Sequence, residues 1–335
     1  GGVVGWRVCW QVVCQGKARD GALVAIKQIA IAKINNKLIQ SEVRIWTRMQ
    51  HAHLLRLHDV FQDAEHLWLV TELARGGDLF QRLKQVAYFT EGQAAQLTRQ
   101  IVSAVAYLHE CYVVHCDLKP QNILVLEEPP ALEVGAPITV KLADFGLSQA
   151  YTKSGDRIEE LTAGADGEAT EMKFTDVVGT PNYFAPELVE LAQGHIYATS
   201  YDAAVDCWAL GCIVYQLLTG HPPFEADDEE VLYYKISENS IEFKRGAGEP
   251  FQDVSQEAED LILQLTKSNK EERLTSKGAA DHDWLAPEIA PRLSHVALTT
   301  ESRWTDWRKG VVATNVLAQF GAAGGGGGCG GGGGG

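Results

Sequence analysis

Apolar and polar residues alternate through residues 8–30 on either side of "GKARDG" (Gly16–Gly21). This period-two pattern predicts a hairpin whose second arm is the strand "ALVAIKQI". From Asn36 to Gln50 the spacing lengthens, and Ile39, Val43, Trp46 and Met49 fall on one face of a helix. "HLWLVTEL" (His66–Leu73) reads as a buried strand, followed by the turn pair Gly76-Gly77. Gln93–Glu110 predicts a long helix with Leu97, Ile101, Ala104, Val105 and Leu108 on its apolar side. "ITVKLADFG" (Ile138–Gly146) reads as a strand ending in glycine, and the polar stretch 151–176 has no clear period. Helical patterns return at 204–219, 227–237 and 255–267. Strands early and helices late predict an α+β fold. Residues 321–335 are almost pure glycine around Cys329, cannot build a core, and are expected to be a disordered tail.

Composition narrows the function classes. A chain of 335 residues, 45% of them hydrophobic, can bury a large core and suggests about two domains or lobes. Its net charge of −15 argues against a nucleic-acid partner, which needs a basic stripe. No apolar run approaches the ~18 residues of a membrane span, and no charged-then-apolar leader opens the sequence. The seven cysteines are scattered without a CxxC pair, which argues against zinc. They fit an intracellular, reducing compartment, the cytoplasm with the nucleus left open. The opening "GGVV" has no initiator methionine, as expected of a fragment or of an uncertain gene model.

Several separated segments carry chemistry. "VAIK" puts Lys27 on a strand, and Glu42 lies in phase with Ile39 and Trp46 on the apolar face of the next helix. An inward carboxylate needs a cation, and Lys27 is the nearest candidate in sequence. "HCDLKPQN" offers Asp117, Lys119 and Asn122 within a few positions, and "DFG" closes a strand with Asp144. Taken singly, Glu42 or Asp144 also reads as a cap or a solvated charge. The order of these segments, continued by "GTPNYFAPE" (Gly179–Glu187), "DCWALG" (Asp206–Gly211) and Arg273 in "EERLT", resembles the eukaryotic-type protein kinases over about residues 4–285.

That resemblance implies a bilobal fold, with a small β-rich N-lobe at about 4–73 and a larger helical C-lobe at about 74–285. It implies ATP and Mg²⁺ as cofactors and proteins as substrates. Lys27, held by Glu42, would grip the α- and β-phosphates, and Asn122 and Asp144 would ligate Mg²⁺ through hard oxygens. Asp117 would accept or orient the substrate hydroxyl proton, and Lys119 would steady the γ-phosphate. Thr71 would stand at the gatekeeper position, Glu72 and Ala74 at the hinge, and Val12, Ala25 and Leu124 at the apolar walls of the adenine pocket. Val12, Ala25 and Leu124 read equally well as ordinary core. Glu187 with Arg273 resembles the family's structural ion pair, and Asp206 the buried acid that anchors the catalytic loop.

Two departures matter. In "GWRVCWQV" Gly5 fits the phosphate-covering loop, but Arg7 and Trp10 replace its second and third glycines. Glycine lets backbone N–H groups approach phosphate, and tryptophan does not. Either nucleotide binding is impaired, or the first ten residues are not genuine or not aligned in this way, so a pseudokinase scaffold stays beside the enzyme reading. Cys116 stands where most of the family carries an arginine that receives an activation-loop phosphate, and it reads as a buried small side chain or, alternatively, a reactive thiol. Asp176 stands where relatives carry the regulatory Ser or Thr, so activity is expected without activation-loop phosphorylation.

"DFGLSQ", "GGDLF" and "HPPFEADDEE" resemble the calcium/calmodulin-dependent group of Ser/Thr kinases, and "HCDLKP" with "VVGTP" is similar to the protein kinase D family. "VYQLLTG" and the insert before "VKLADFG" also resemble autophagy-initiating kinases. Asp78 keeps one acidic position of the basophilic relatives, while Gln121 and Gln216 occupy the other two, so at most a mild preference for Arg at −3 is expected. Residues 151–173, with six carboxylates against three basic residues, read as an activation-loop insertion. Within 286–320, a regulatory helix is expected at Thr299–Phe320, where Trp307, Val311, Val316 and Phe320 lie near Arg303, Arg308 and Lys309. This pattern fits calmodulin as a partner, or a plain helix packed on the C-lobe.

Overall fold

β1 (Gln11–Lys17) and β2 (Leu23–Ala30) form the expected antiparallel hairpin, closed by hydrogen bonds from the Ala18 amide to the Ala22 carbonyl and from the Gly21 amide to the Ala18 carbonyl. A computed structural model describes residues 11–18, 21–30, 43, 45–127, 138–150, 177–195, 201–245, 251 and 254–286. Gly5, Arg7, Trp10, Glu42, the 151–176 stretch, the 299–320 segment and the glycine-rich tail lie outside the described residues. The described residues fall into two compact units, 11–30 with 57–73 and 43–56 with 74–286. The fold is α+β and bilobal.

The first unit is a four-stranded antiparallel sheet in the order β1-β2-β4-β3, with β3 at Leu57–Gln62 and β4 at His66–Glu72. "HLWLVTE" buries Leu67, Leu69 and Val70, as its apolar content requires.

In the second unit, residues 45–48 are helical and bury Ile45 and Trp46. Asp78 accepts from the Gln81 amide and so starts helix α1 (Leu79–Val86). Thr90 and Gln93 form a capping box that starts α2 (Glu91–Glu110) two residues earlier than the apolar pattern indicates. The predicted Leu97, Ile101, Ala104, Val105 and Leu108 are all buried. Short strands follow, β5 (Val113–Val114) paired with β8 (Gln149–Ala150) and β6 (Ile123–Val125) paired with β7 (Val140–Leu142). The strand predicted to reach Gly146 stops at Leu142, because Asp144 turns into the left-handed region (φ 64°) and leaves the ladder.

Helices α3 (Pro186–Ala192), α4 (Ala204–Thr219), α5 (Glu229–Ser237), α6 (Gln256–Leu265) and α7 (Ser276–Ala280) complete this unit. Nearly every residue of α4 is buried, as expected of a helix that is apolar all round. Arg273 joins these helices. Its guanidinium gives two hydrogen bonds to Glu187 (2.6 and 2.9 Å), others to the carbonyls of Lys267, Ala204 and Ser268, and lies 5.2 Å from the Trp208 ring.

The segment from Gln50 to Leu55 is fastened to α2 and β7. The Gln50 amide donates to the Tyr107 hydroxyl, the His53 amide donates to His51 Nδ1, and His51 Nε2 lies 3.2 Å from Ser103 Oγ. The Leu55 amide donates to the Leu142 carbonyl, and the Leu142 amide donates to the His53 carbonyl. Burial, then the neighbouring His53 and Lys141, pushes the His51 pKa down from 6.5 to about 4. Between those values the unfolded chain takes up a proton that the folded chain refuses. Stability is therefore full above 6.5 and is lost as pH falls toward 4. Urea unfolding from about pH 7 to about 4.5 should show this decline, flattened in His51→Gln. An equal slope in both proteins would show that His51 does not contribute.

Candidate active site

β5 delivers the chain into a loop, His115–Asn122, whose shape is fixed from beneath by Asp206 of α4. The carboxylate is 1% exposed; its Oδ2 accepts from the His115 amide (2.8 Å) and its Oδ1 from the Cys116 amide (2.9 Å). Burial works to raise the pKa of this acid, but the hydrogen bond from His109, with the nearby His109 and His115 rings, holds it below its ordinary value. Between these anchored amides and Asp117 the chain takes a left-handed turn at Cys116 (φ 66°), uncommon for a residue with a side chain.

Asp117 is the centre of the site. Its Oδ2 accepts from Lys119 Nζ (2.7 Å) and Asn122 Nδ2 (2.9 Å), and its Oδ1 accepts from the Thr180 hydroxyl (2.8 Å). Lys119 Nζ also donates to Thr180 Oγ1 (2.7 Å), and Asn122 Nδ2 to the Asp117 carbonyl (2.8 Å). Both Asn122 bonds use the amide nitrogen, so its amide oxygen is not consumed by Asp117. Asp144 is placed next to this group through the short ladder: Ala143 donates to the Asn122 carbonyl, and β7 pairs with β6. Behind the loop, the Phe145 ring lies 5.6 Å from His115 and 5.5 Å from Trp46, and His115 Nε2 is 3.1 Å from the Ala143 carbonyl. The sequence thus brings Asp117, Lys119 and Asn122 into direct contact. It missed Thr180, although "GTP" immediately after the polar stretch was the available signal.

Gly179 sets the approach of Thr180. Its φ is +116°, and a Cβ there would lie 2.7 Å from the Cys116 carbonyl oxygen. Gly179→Ala should displace Thr180 and cost on the order of 1–3 kcal/mol of strain. Thermal unfolding together with the transfer rate checks this, and wild-type values for both would refute it.

The Cys116 thiol is buried with its Sγ 3.7 Å from the Val114 carbonyl. Burial first, then the Asp206 charge, pushes its pKa well above the ordinary range. A thiol held protonated in this way is a packing group rather than a nucleophile.

The remaining predicted residues divide between the units. In the sheet, the register pairs Ala25 with Thr71 and Lys27 with Leu69. It pairs Val12 with Gln28 and Val13 with Lys27, so Val13 is the β1 valine in phase with Ala25 and Lys27. Thr71 is buried and donates to the Glu72 carbonyl. In the second unit Leu124 pairs with Lys141 and bridges to Asp78, and Ala74 is half-buried. Among the described residues, no helix is long and apolar enough to cross a membrane, and no cluster of three or more His, Cys, Asp or Glu side chains is arranged to hold a metal on its own.

Known proteins are similar to this chain in sequence. The family described as "Protein kinase domain" matches residues 10–285. A probable myosin light chain kinase of Dictyostelium discoideum is 36% identical over 284 residues, covering 84% of this chain and 64% of that protein. Myosin light chain kinase A of the same organism is 35% identical over 264 residues, 79% of this chain and 78% of that protein. A calcium/calmodulin-dependent protein kinase type 1 of Macrobrachium nipponense is 33% identical over 311 residues, 90% of this chain and 80% of that protein. The chain thus spans a little less than two thirds of the length of the first of these relatives. A loop carrying Asp117, Lys119 and Asn122 on a buried Asp206, inside so extended a match, leaves one assignment: the chain belongs to the protein kinase family, among the serine/threonine kinases near the calcium/calmodulin-dependent group.

Proposed function

We propose that this chain transfers the γ-phosphoryl group of ATP to serine or threonine hydroxyls of protein substrates. The observation that carries the reading is the Asp117 carboxylate, which accepts at once from an aliphatic hydroxyl, an ammonium and an amide. Oδ1 is already arranged to accept from a hydroxyl such as Thr180's, the contact a substrate serine or threonine would make before losing its proton. Lys119 Nζ stands beside it as the cation for the transferring phosphoryl group. Asn122 through its amide oxygen, and Asp144 through its carboxylate, are hard donors suited to Mg²⁺. When bound, Mg²⁺ neutralises charge on the phosphate oxygens. Lys27, supported by Glu42, would hold the α- and β-phosphates. Ala25, Val12 or its in-phase neighbour Val13, Thr71, Glu72, Ala74 and Leu124 would receive the adenine.

Purified chain, Mg²⁺, ATP and a generic basic protein test this. Phosphoserine and phosphothreonine should form, with none after Asp117→Ala. A second reading, a pseudokinase scaffold, is favoured by Arg7 and Trp10 in the phosphate-covering loop. Absence of both incorporation and a thermal shift with Mg-ATP would establish that reading instead.

Regulation and substrate choice follow from the same residues. The buried Cys116 thiol offers no cation to a phosphate, so the enzyme would work without activation-loop phosphorylation, with Asp176 as a weak permanent charge. Activity of phosphatase-treated protein within about tenfold of the untreated enzyme supports this, and a larger fall removes it. Gln216 is buried with its Oε1 on the Tyr183 hydroxyl, which leaves Asp78, whose Oδ1 caps α1, as the one acidic position for a substrate arginine. Selection for Arg at −3 would therefore be mild. The 299–320 segment would bind calmodulin through Trp307, Val311, Val316 and Phe320, and titration of that peptide with and without calcium decides it.

A further inference from the structure

Three helices meet at His109. It lies in the last turn of α2, its Nε2 is 2.9 Å from Asp206 Oδ2 in α4, and its Nδ1 is 2.9 Å from Ser276 Oγ in α7. Asp206 and Ser276 are both buried, and the His109 side chain is only 12% exposed. Water therefore has little access to replace either contact.

We propose that Ser276 is a positioning residue for the catalytic loop, acting through His109 and Asp206. Asp206 takes three donors: the amides of His115 and Cys116 and the Nε2–H of His109. A neutral imidazole carries one N–H, and which nitrogen bears it is set by what the other nitrogen meets. The Ser276 hydroxyl donates to Nδ1, which keeps the proton on Nε2, pointed at the carboxylate. In the other tautomer an Nε2 lone pair would face Asp206 and repel it. The carboxylate must stay oriented because its two amide bonds hold the left-handed turn at Cys116, one residue before Asp117. Ser276 sits at the start of α7, behind its Thr275 cap, so this helix and the reacting carboxylate are linked by side-chain hydrogen bonds. No feature of the sequence alone joins position 276 to position 117.

The inference rests on the kinase reading for its effect on rate, but its structural half can be tested without activity. The full chain is compared with Ser276→Ala, His109→Gln and the double variant. Ser276→Ala should lower kcat roughly fivefold, the effect of one lost hydrogen bond, with KM for ATP and protein substrate unchanged. Hydrogen exchange at the His115 and Cys116 amides should quicken by a similar factor, while the Val105 amide in mid-α2 should not change. The ¹⁵N shifts of the His109 ring should report the Nε2–H tautomer in the wild type and a mixture in Ser276→Ala. Adding Ser276→Ala to His109→Gln should have no further effect, because the link is already broken. Unchanged exchange at His115 and Cys116, or fully additive effects in the double variant, would overturn the proposal. An inactive wild type would count against the kinase reading and leave amide exchange to decide this one.

Discussion

Replacing Asp117 with alanine is expected to lower the rate of phosphoryl transfer by about 10²–10⁴-fold, the range for removing a positioned general base. The loss should fall on kcat, since Asp117 holds Lys119, Asn122 and Thr180, the groups placed for the transfer step. Thr180 and Lys119 would keep their mutual hydrogen bond, so the loop should not collapse. Mg-ATP should still raise the melting temperature of the variant, which separates lost chemistry from lost binding. Residual activity within about tenfold of wild type would rule out this assignment of the base.

Arg273→Ala should destabilise the helical unit by roughly 3–5 kcal/mol. All five guanidinium N–H donors are in use, two on Glu187 and three on the carbonyls of Lys267, Ala204 and Ser268. Truncation leaves the Glu187 carboxylate, 12% exposed, without its cation and opens a void against Trp208. At about 2–4 °C per kcal/mol for a unit of this size, the melting temperature should drop by on the order of 10 °C. Arg273→Lys should recover only part, because an ammonium cannot reproduce the planar fork. A loss below about 1 kcal/mol would mean that the ion pair is a bystander.

Much of this was legible in the chain. The hairpin around Gly16–Gly21 and the helix ending at Glu110 have periodic apolar patterns, and local pattern is sufficient where one face must leave water; the helix Ala204–Thr219 shows instead as a nearly continuous apolar run. The strand expected to reach Gly146 ends at Leu142, because the apolar run "ITVKLADF" does not encode that only three residues find a partner in β6. Val12 and Val13 cannot be told apart from spacing alone, since the phase is set by the pairing of β1 with β2. Within the site, Asp117, Lys119 and Asn122 are neighbours in sequence, and their contact follows from one tight loop.

The sequence by itself determined which groups are available: a carboxylate, an ammonium and an amide within "HCDLKPQN", an acid in "DFG", and a cysteine in place of an arginine. These are chemical identities and short spacings, which a chain carries whatever its fold. Only the tertiary structure decided that Thr180 completes the Asp117 cluster, that the amides gripped by Asp206 are those of His115 and Cys116, and that Ser276 reaches this network through His109. These contacts join residues 63, 91, 90 and 167 positions apart. No local periodicity spans such separations. They are fixed by the packing of buried helices, where each polar group must find a partner because water cannot supply one.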